Sequence, residues 1–169
     1  MAITVELVEG AEAISAVQDF CRAFRSWLYE RYPDDLATVD VYYNPKTFEA
    51  LLARLPELHR RPQGAIFLAR LDGVPVGCVM QQQNAPGIVE MKRLFVSDAA
   101  RGHGVGAALC AASMAQAKAD GYQTMRLDTG KHQTEAIALY RRIGFVQRGP
   151  YYETTPELVE LLRFFERPL

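Results

Sequence analysis

Three alternate glycines near the middle of the chain constrain its fold more than any other feature. Residues 101–106 have the sequence Arg-Gly-His-Gly-Val-Gly and lie between an apolar run, Ile88–Val96, and an alanine-rich segment. Glycine adopts positive φ angles without a steric penalty and lets the backbone approach a ligand closely. N–H groups at the start of the following helix converge on one point, where the helix dipole favours an anion. The segment therefore predicts a strand, a loop and a helix that together hold a phosphate or pyrophosphate.

The residues around these glycines limit which phosphate ligand the loop can hold. A nucleoside-triphosphate loop ends in Gly-Lys-Ser/Thr, whereas residues 106–108 are Gly-Ala-Ala. A dinucleotide loop is a weaker alternative, because Gly102, Gly104 and Ala107 fit its pattern and Asp128 stands where a ribose-binding acid would. Against it, residues 97–101 separate the strand from the first glycine, while the dinucleotide turn follows its strand at once. A glycine-rich turn without a ligand is the third option.

Apolar periodicity predicts the other elements of the fold. The dipeptide Asp72-Gly73 between two apolar runs predicts a two-residue hairpin turn. Helices, antiparallel hairpins and then alternating strands and helices indicate one mixed α/β sheet, and 169 residues suit a single domain. The predicted elements are a strand at 3–8, a helix between Gly10 and Pro33, a helix at 45–55, strands at 65–71, 74–81 and 88–96, a helix at 104–119, a strand at 122–128, a helix at 134–143, and strands at 145–148 and 158–165.

Composition excludes several classes of protein. The 19 Lys+Arg and 20 Asp+Glu give a formal net charge of -1, which argues against electrostatic binding of nucleic acid. No run of about 18 apolar residues exists, and the first ten residues lack a basic segment, so we expect neither a membrane span nor a signal peptide. The three cysteines are far apart among apolar residues, which predicts buried free thiols and a reducing, cytoplasmic location. Neither the cysteines nor the three histidines have metal-ligand spacing, so we expect no metal site.

Two motifs in order and spacing resemble a known family. Residues 101–106 match the Arg/Gln-x-x-Gly-x-Gly/Ala acetyl-CoA motif of the GCN5-related N-acetyltransferase (GNAT) superfamily at every fixed position. Residues 90–96 are similar to the fourth strand of many members, and residues 136–145 resemble the second signature of the family. The resemblance implies one acetyltransferase domain over residues 1–169 with its CoA-binding core at 88–145. It also implies a mixed, mostly antiparallel central sheet, flanked by helices and splayed between the fourth and fifth strands.

The same resemblance implies which residues bind acetyl-CoA, the acetyl donor. The glycine loop would hold the pyrophosphate, and the fourth strand would bind the pantetheine arm, with one N–H polarising the thioester carbonyl. The sequence departs from the family pattern at Gln133, where members often have Asn. The implied CoA-binding residues are Leu94, Phe95, Val96, Arg101, Gly102, His103, Gly104, Val105, Gly106, Ala107, Gln133 and Tyr140.

Two residues are candidates for proton transfer. An amine with a pKa of about 10.4 is almost wholly protonated at pH 7, so it needs a base or a desolvating site before it attacks a thioester. Glu90 is the candidate base, since several members carry a glutamate in the matching region; the alternative is an ion pair with Lys92 or Arg93. Tyr140 matches the general acid of the family, and its ring also fits a core position. The tyrosine pairs at 42–43 and 151–152 either line an acceptor pocket or pack in the core.

Together these features predict an N-acetyltransferase that moves an acetyl group from acetyl-CoA to a primary amine. We expect direct transfer in a ternary complex, because no cysteine sits where members of the family carry the acetyl group. A non-catalytic CoA-binding sensor and a dinucleotide-binding oxidoreductase are the alternatives. The expected partner is a small-molecule or peptide amine. We expect no binding to nucleic acid or to a membrane. Members of the family are often dimers, so both a monomer and a homodimer stay open, as do the acceptor, the acyl preference and the base.

Overall fold

Seven strands form the central sheet of the structure, a computed structural model that describes residues 1–169. The strands are β1 (Ile3–Leu7), β2 (Gly64–Leu71), β3 (Val74–Ala85), β4 (Ile88–Val96), β5 (Thr124–Gly130), β6 (Val146–Arg148) and β7 (Leu162–Pro168). They are ordered β1-β2-β3-β4-β5-β7-β6. Only β4 and β5 are parallel, and every other neighbouring pair is antiparallel. The predicted mixed, mostly antiparallel sheet is confirmed.

Helices cover both faces of this sheet. They are α1 (Ala11–Arg31), α2 (Leu36–Tyr42), α3 (Phe48–Ala53), α4 (Leu55–Leu58), α5 (Val105–Ala119), α6 (Thr134–Arg142) and α7 (Pro156–Leu161). Alternate residues of a strand point to opposite faces. Accordingly, Phe67 of β2 belongs to the core beneath α5, whereas its neighbours Ile66 and Leu68 belong to the core beneath α1. The two helices therefore bury the two faces separately.

The sheet opens between β4 and β5. The two strands pair only over residues 88–90 and 124–126, and then separate. At the point of separation β4 carries one residue more than β3, because Cys78 pairs with Phe95 while Met80 pairs with Lys92. Arg93 in this bulge has a φ of 52°. A bulge bends its strand and leaves backbone groups unpaired, so the predicted splay between the fourth and fifth strands is confirmed.

Two predicted elements differ in the structure. The helix expected at 45–55 is divided into α3 and α4, because Pro56 has no N–H to donate to the carbonyl of Leu52; Gln18 donates to that carbonyl instead, at 3.1 Å. The strand expected from residue 158 begins only at Leu162, since residues 156–161 form α7. Thr155 caps this helix by accepting the N–H of Leu158 at 3.2 Å, ahead of a proline in its first turn.

Candidate active site

A groove of about 570 Å³ lies between the end of β4 and the N-termini of α5 and α6. Gly102 and Gly104 of the glycine loop have φ angles of 79° and 83°, as their positions in the motif predict. A Cβ added at either glycine would meet nothing within 4 Å, so the backbone angle, and not space, requires glycine there. The groove is lined by Leu94, Phe95, Val96, Arg101, Gly102, Gly104, Val105, Gly106, Ala107 and Gln133, among others.

Unpaired N–H groups face this groove at the start of α5. Gly104 precedes the helix in a left-handed conformation, with no side-chain cap, so the N–H groups of the first turn have no partner within the helix. Arg101 pairs with Asp98 at 2.6 Å and stacks on Trp27 of α1, with its guanidinium 5.4 Å from the ring centroid. His103 is the one loop residue that does not line the groove; its Nδ1 lies 3.3 Å from the carbonyl of Ala100.

A second, smaller cavity of about 70 Å³ adjoins the groove, and we call it the chamber. Phe24, Leu94 and Gln133 line both spaces, so the two meet beside the bulge of β4. Residues of α1, α2, β4, β5, α6 and α7 enclose the chamber, and most of them are apolar. The gap between the splayed strands therefore leads from the groove into a largely apolar space.

Tyr140 lies in the wall of the chamber. Its side chain is 5% exposed and packs against the rings of Phe145 and Phe165, with centroids 5.8 and 6.2 Å away. Burial raises the pKa of Tyr140 well above its ordinary value, so the hydroxyl stays protonated. The ring of Tyr140 thus occupies a core position in the chamber wall, and its role as the general acid stays a prediction.

Gln133 lies where the groove meets the chamber, directly before the first residue of α6. Its Oε1 accepts the backbone N–H of Gly130 at 2.8 Å and the hydroxyl of Tyr32 at 3.3 Å. The amide oxygen is therefore engaged by the protein itself.

Asp128 is the one carboxylate that lines the chamber. Its Oδ1 accepts the hydroxyl of Tyr42 at 2.8 Å, and its Oδ2 accepts the hydroxyl of Tyr152 at 2.5 Å. Burial raises the pKa of Asp128, and the bond from Tyr152 and the charge of Lys92 oppose this rise. The sequence predicts Asp128 as the end of a strand, with a ribose ligand as the alternative. Asp128 does not line the groove, and the mostly antiparallel sheet is not a dinucleotide fold.

Glu90 lies behind the chamber and not in its wall. It is 5% exposed, its Oε1 pairs with Lys92 Nζ at 3.1 Å, and its Oε2 accepts the hydroxyl of Tyr151 at 2.5 Å. The ion pair that was the alternative interpretation is thus present, and the role of Glu90 as a base stays a prediction. Of the four paired tyrosines, Tyr42 and Tyr43 line the chamber. Tyr151 and Tyr152 do not line it, and they donate to Glu90 and Asp128, respectively.

Several other features bear on the site. Cys21, Cys78 and Cys110 are buried free thiols, as predicted, and none lines the groove or the chamber. The chain contains no group of three or more His, Cys, Asp or Glu side chains that could hold a metal ion. None of the helices is both long and apolar enough to cross a membrane.

Comparison with known proteins gives a consistent result. Residues 12–145 match the acetyltransferase (GNAT) family. An IAA acetyltransferase from Azospirillum brasilense is 37% identical over 110 residues, which are 64% of this chain and 71% of that protein. A Klebsiella pneumoniae structure assigned to the acyl-CoA N-acyltransferases matches with a TM-score of 0.72 and 29% identity, over 99% of this chain and 97% of its own. PaiA N-acetyltransferase from Thermoplasma acidophilum, solved with coenzyme A, has a TM-score of 0.71 over all of both chains at 15% identity, which concerns the fold alone.

Proposed function

The chain belongs to the acetyltransferase (GNAT) family, and on that premise we propose that it transfers an acetyl group from acetyl-CoA to a primary amine in a ternary complex. The meeting of groove and chamber at Phe24, Leu94 and Gln133 carries this proposal. A thioester bound in the groove lies at the opening of the chamber, so an amine in the chamber can attack it directly. Since no cysteine lines either space, direct transfer needs no acetylated intermediate of the protein.

The groove binds the donor mainly through the backbone. The unpaired N–H groups at the start of α5 and the left-handed Gly102 and Gly104 suit the pyrophosphate. Beyond the bulge, β4 has backbone groups free of β5, and these bind the pantetheine arm as a neighbouring strand would. The coenzyme A bound by the structurally similar PaiA protein supports this assignment.

Tyr140 acts as the general acid for the departing CoA thiolate. Its hydroxyl carries its proton throughout the working pH range, because burial raises its pKa. For the same reason a free phenolate is costly. The transfer to sulfur is therefore concerted with reprotonation of Tyr140 by an N–H of the tetrahedral intermediate.

Calorimetric titration with acetyl-CoA tests the donor site first. We expect saturable binding by the wild type and a loss of at least tenfold in affinity for Gly104→Val, since a β-branched residue does not tolerate a φ of 83°. Gly73→Val is the matched control, because Gly73 has a φ of 84° and equally open surroundings in the distant β2–β3 turn.

Turnover is then measured as thiol release with a panel of amines. A folded wild type that fails to bind acetyl-CoA would sink the proposal. Binding of acetyl-CoA without turnover of any amine would favour a CoA-binding sensor instead.

A further inference from the structure

A single negative charge faces the space where the acceptor amine would lie. The chamber wall contains three charged side chains, Asp128, Lys92 and Arg93. Lys92 is already paired with Glu90. Asp128 has no cationic partner, and both its oxygens are held by tyrosine hydroxyls. An ammonium group that enters the chamber thus finds one carboxylate to pair with.

The fold fixes Asp128 beside the thioester path. Asp128 is two residues beyond Arg126, the last residue of β5 that pairs with β4, so it lies on the part of β5 that has separated from β4. Tyr42 reaches it from α2 and Tyr152 from the segment before α7. Two donors on separate oxygens orient the carboxylate, which keeps an open lone pair on each oxygen for a third partner.

We propose that Asp128 binds the ammonium group of the acceptor and accepts its first proton, and that the chamber selects a monoamine with an apolar carbon skeleton. This inference rests on the proposed function and adds the substrate class and the base to it.

The proton transfers balance as follows. The ammonium passes one proton to the Asp128 carboxylate, and its nitrogen forms the new bond to the thioester carbonyl carbon. The tetrahedral intermediate then breaks its C–S bond. Tyr140 protonates the thiolate while the second N–H proton returns to Tyr140, which leaves an amide and the free thiol of CoA. Asp128 releases its proton to solvent after the products leave.

The walls of the chamber define the acceptor. Beyond the carboxylate they are formed by apolar side chains of three helices, including Phe24, Leu28, Val39, Leu158 and Leu161. A second ammonium in the acceptor would lose its hydration there and would meet the cations Lys92 and Arg93 without a carboxylate of its own. Polyamines and aminoglycosides are therefore poor acceptors, and an apolar monoamine is a good one.

If Asp128 is the base, the acidic limb of kcat/KM against pH reflects the ionisation of its carboxyl group. Its deprotonated fraction rises with pH through a pKa that burial has raised. The groups that face it are Tyr42 and Tyr43 beside α2, Glu90, Lys92 and Arg93 on β4, Tyr140 on α6 and Tyr152 before α7. The pKa values of the four tyrosines are raised by burial, so these hydroxyls stay neutral and do not contribute to this limb.

The experiment measures kcat/KM against pH for thiol release from acetyl-CoA, with 2-phenylethylamine, spermidine and kanamycin as probes. Asp128→Asn should lower kcat/KM for 2-phenylethylamine by about 100-fold and remove the acidic limb, with an acetyl-CoA Kd within twofold of the wild type. Tyr152→Phe should shift the limb to higher pH, because it removes a hydrogen bond that stabilises the carboxylate. Tyr122→Phe is the matched control, since its hydroxyl contacts the carbonyl of Gln63 outside the chamber and its loss should leave the profile unchanged.

Three results would overturn the inference. The first is an acidic limb that persists in Asp128→Asn. If that variant does not fold, an acidic limb at the same pH in Tyr152→Phe as in the wild type has the same meaning. The second is a preference for spermidine or kanamycin over 2-phenylethylamine, which leaves the proposed function intact. The third is a wild type that binds acetyl-CoA and acetylates a peptide amine but none of the three probes, which also leaves the proposed function intact.

Discussion

The groove and the chamber are built in opposite ways. Most of the groove comes from one continuous stretch, residues 94–107, which includes the unpaired N–H groups at the start of α5 and two left-handed glycines. The chamber takes its polar groups from side chains far apart in the chain, and the bond between Tyr42 and Asp128 spans 86 positions. The difference teaches that binding through the backbone is encoded locally, whereas the acceptor chemistry depends on which side chains the fold brings together.

If the two spaces act separately, variants of the chamber should change turnover and spare donor binding. Tyr140→Phe removes the general acid and should lower kcat by about 10³-fold. The acetyl-CoA Kd should change less than twofold, because the ring that packs on Phe145 and Phe165 remains. Stopped-flow thiol release and calorimetry measure the two quantities. A parallel loss of affinity and turnover would show that the groove and the chamber are one site.

His59 connects the chamber wall to the sheet and makes stability depend on pH. It is 3% exposed; its Nδ1 lies 3.0 Å from the carbonyl of Gln81, and its Nε2 lies 3.3 Å from the guanidinium of Arg93. Burial lowers the pKa of His59 to about 4. In the unfolded chain His59 takes up a proton near pH 6.5, whereas in the folded chain it does so only near pH 4. The free energy of unfolding is therefore highest above pH 6.5 and falls by about 3 kcal/mol as the pH drops towards 4.

Urea unfolding at pH 4.5 and pH 7 checks this dependence. His59→Gln should flatten the difference between the two pH values, because glutamine does not titrate. His132→Gln serves as the control, since His132 is not buried and should leave the slope as in the wild type. If the free energy of unfolding differed between the two pH values by the same amount in the wild type and in His59→Gln, the assignment to His59 would be wrong.

Gly130 lines the chamber and donates to Gln133, which lines both spaces, so a change at Gly130 should affect both. A Cβ there would lie 2.6 Å from Oε1 of Gln133 and in contact with the hydroxyl of Tyr32. Gly130→Ala should therefore lower the free energy of unfolding by about 2 kcal/mol and weaken both donor binding and turnover. Gly149→Ala, where a Cβ would meet nothing within 4 Å, should leave all three unchanged. Retained stability in Gly130→Ala would show that Tyr32 can move away at little cost.

The contrast between groove and chamber also explains which features the sequence predicts and which it does not. The sheet and the glycine loop were predictable, because periodicity, the Asp72-Gly73 turn and the positive φ of Gly102 and Gly104 are local properties. The splay was predictable only from the resemblance to the family. The helix α7 was missed although a local signal, Thr155 before Pro156, was present. No local signal could have placed Asp128 between Tyr42 and Tyr152, because that arrangement exists only once α2 and the segment before α7 have packed on β5.

A substitution of Gln133 should have the smallest effect of those predicted here. Its hydrogen-bond partner Gly130 is only three residues away, yet its side chain lines both the groove and the chamber. Its amide oxygen accepts the N–H of Gly130, so its main role is to stabilise the end of β5. Gln133→Asn shortens the side chain and should cost about 1 kcal/mol, seen as a fall in Tm of about 2–4 °C, with the acetyl-CoA Kd raised less than threefold. Gln123→Asn, at an exposed position, is the control. A loss of affinity of tenfold or more at unchanged Tm would instead assign the amide of Gln133 to the donor, and the groove would then depend on a side chain as the chamber does.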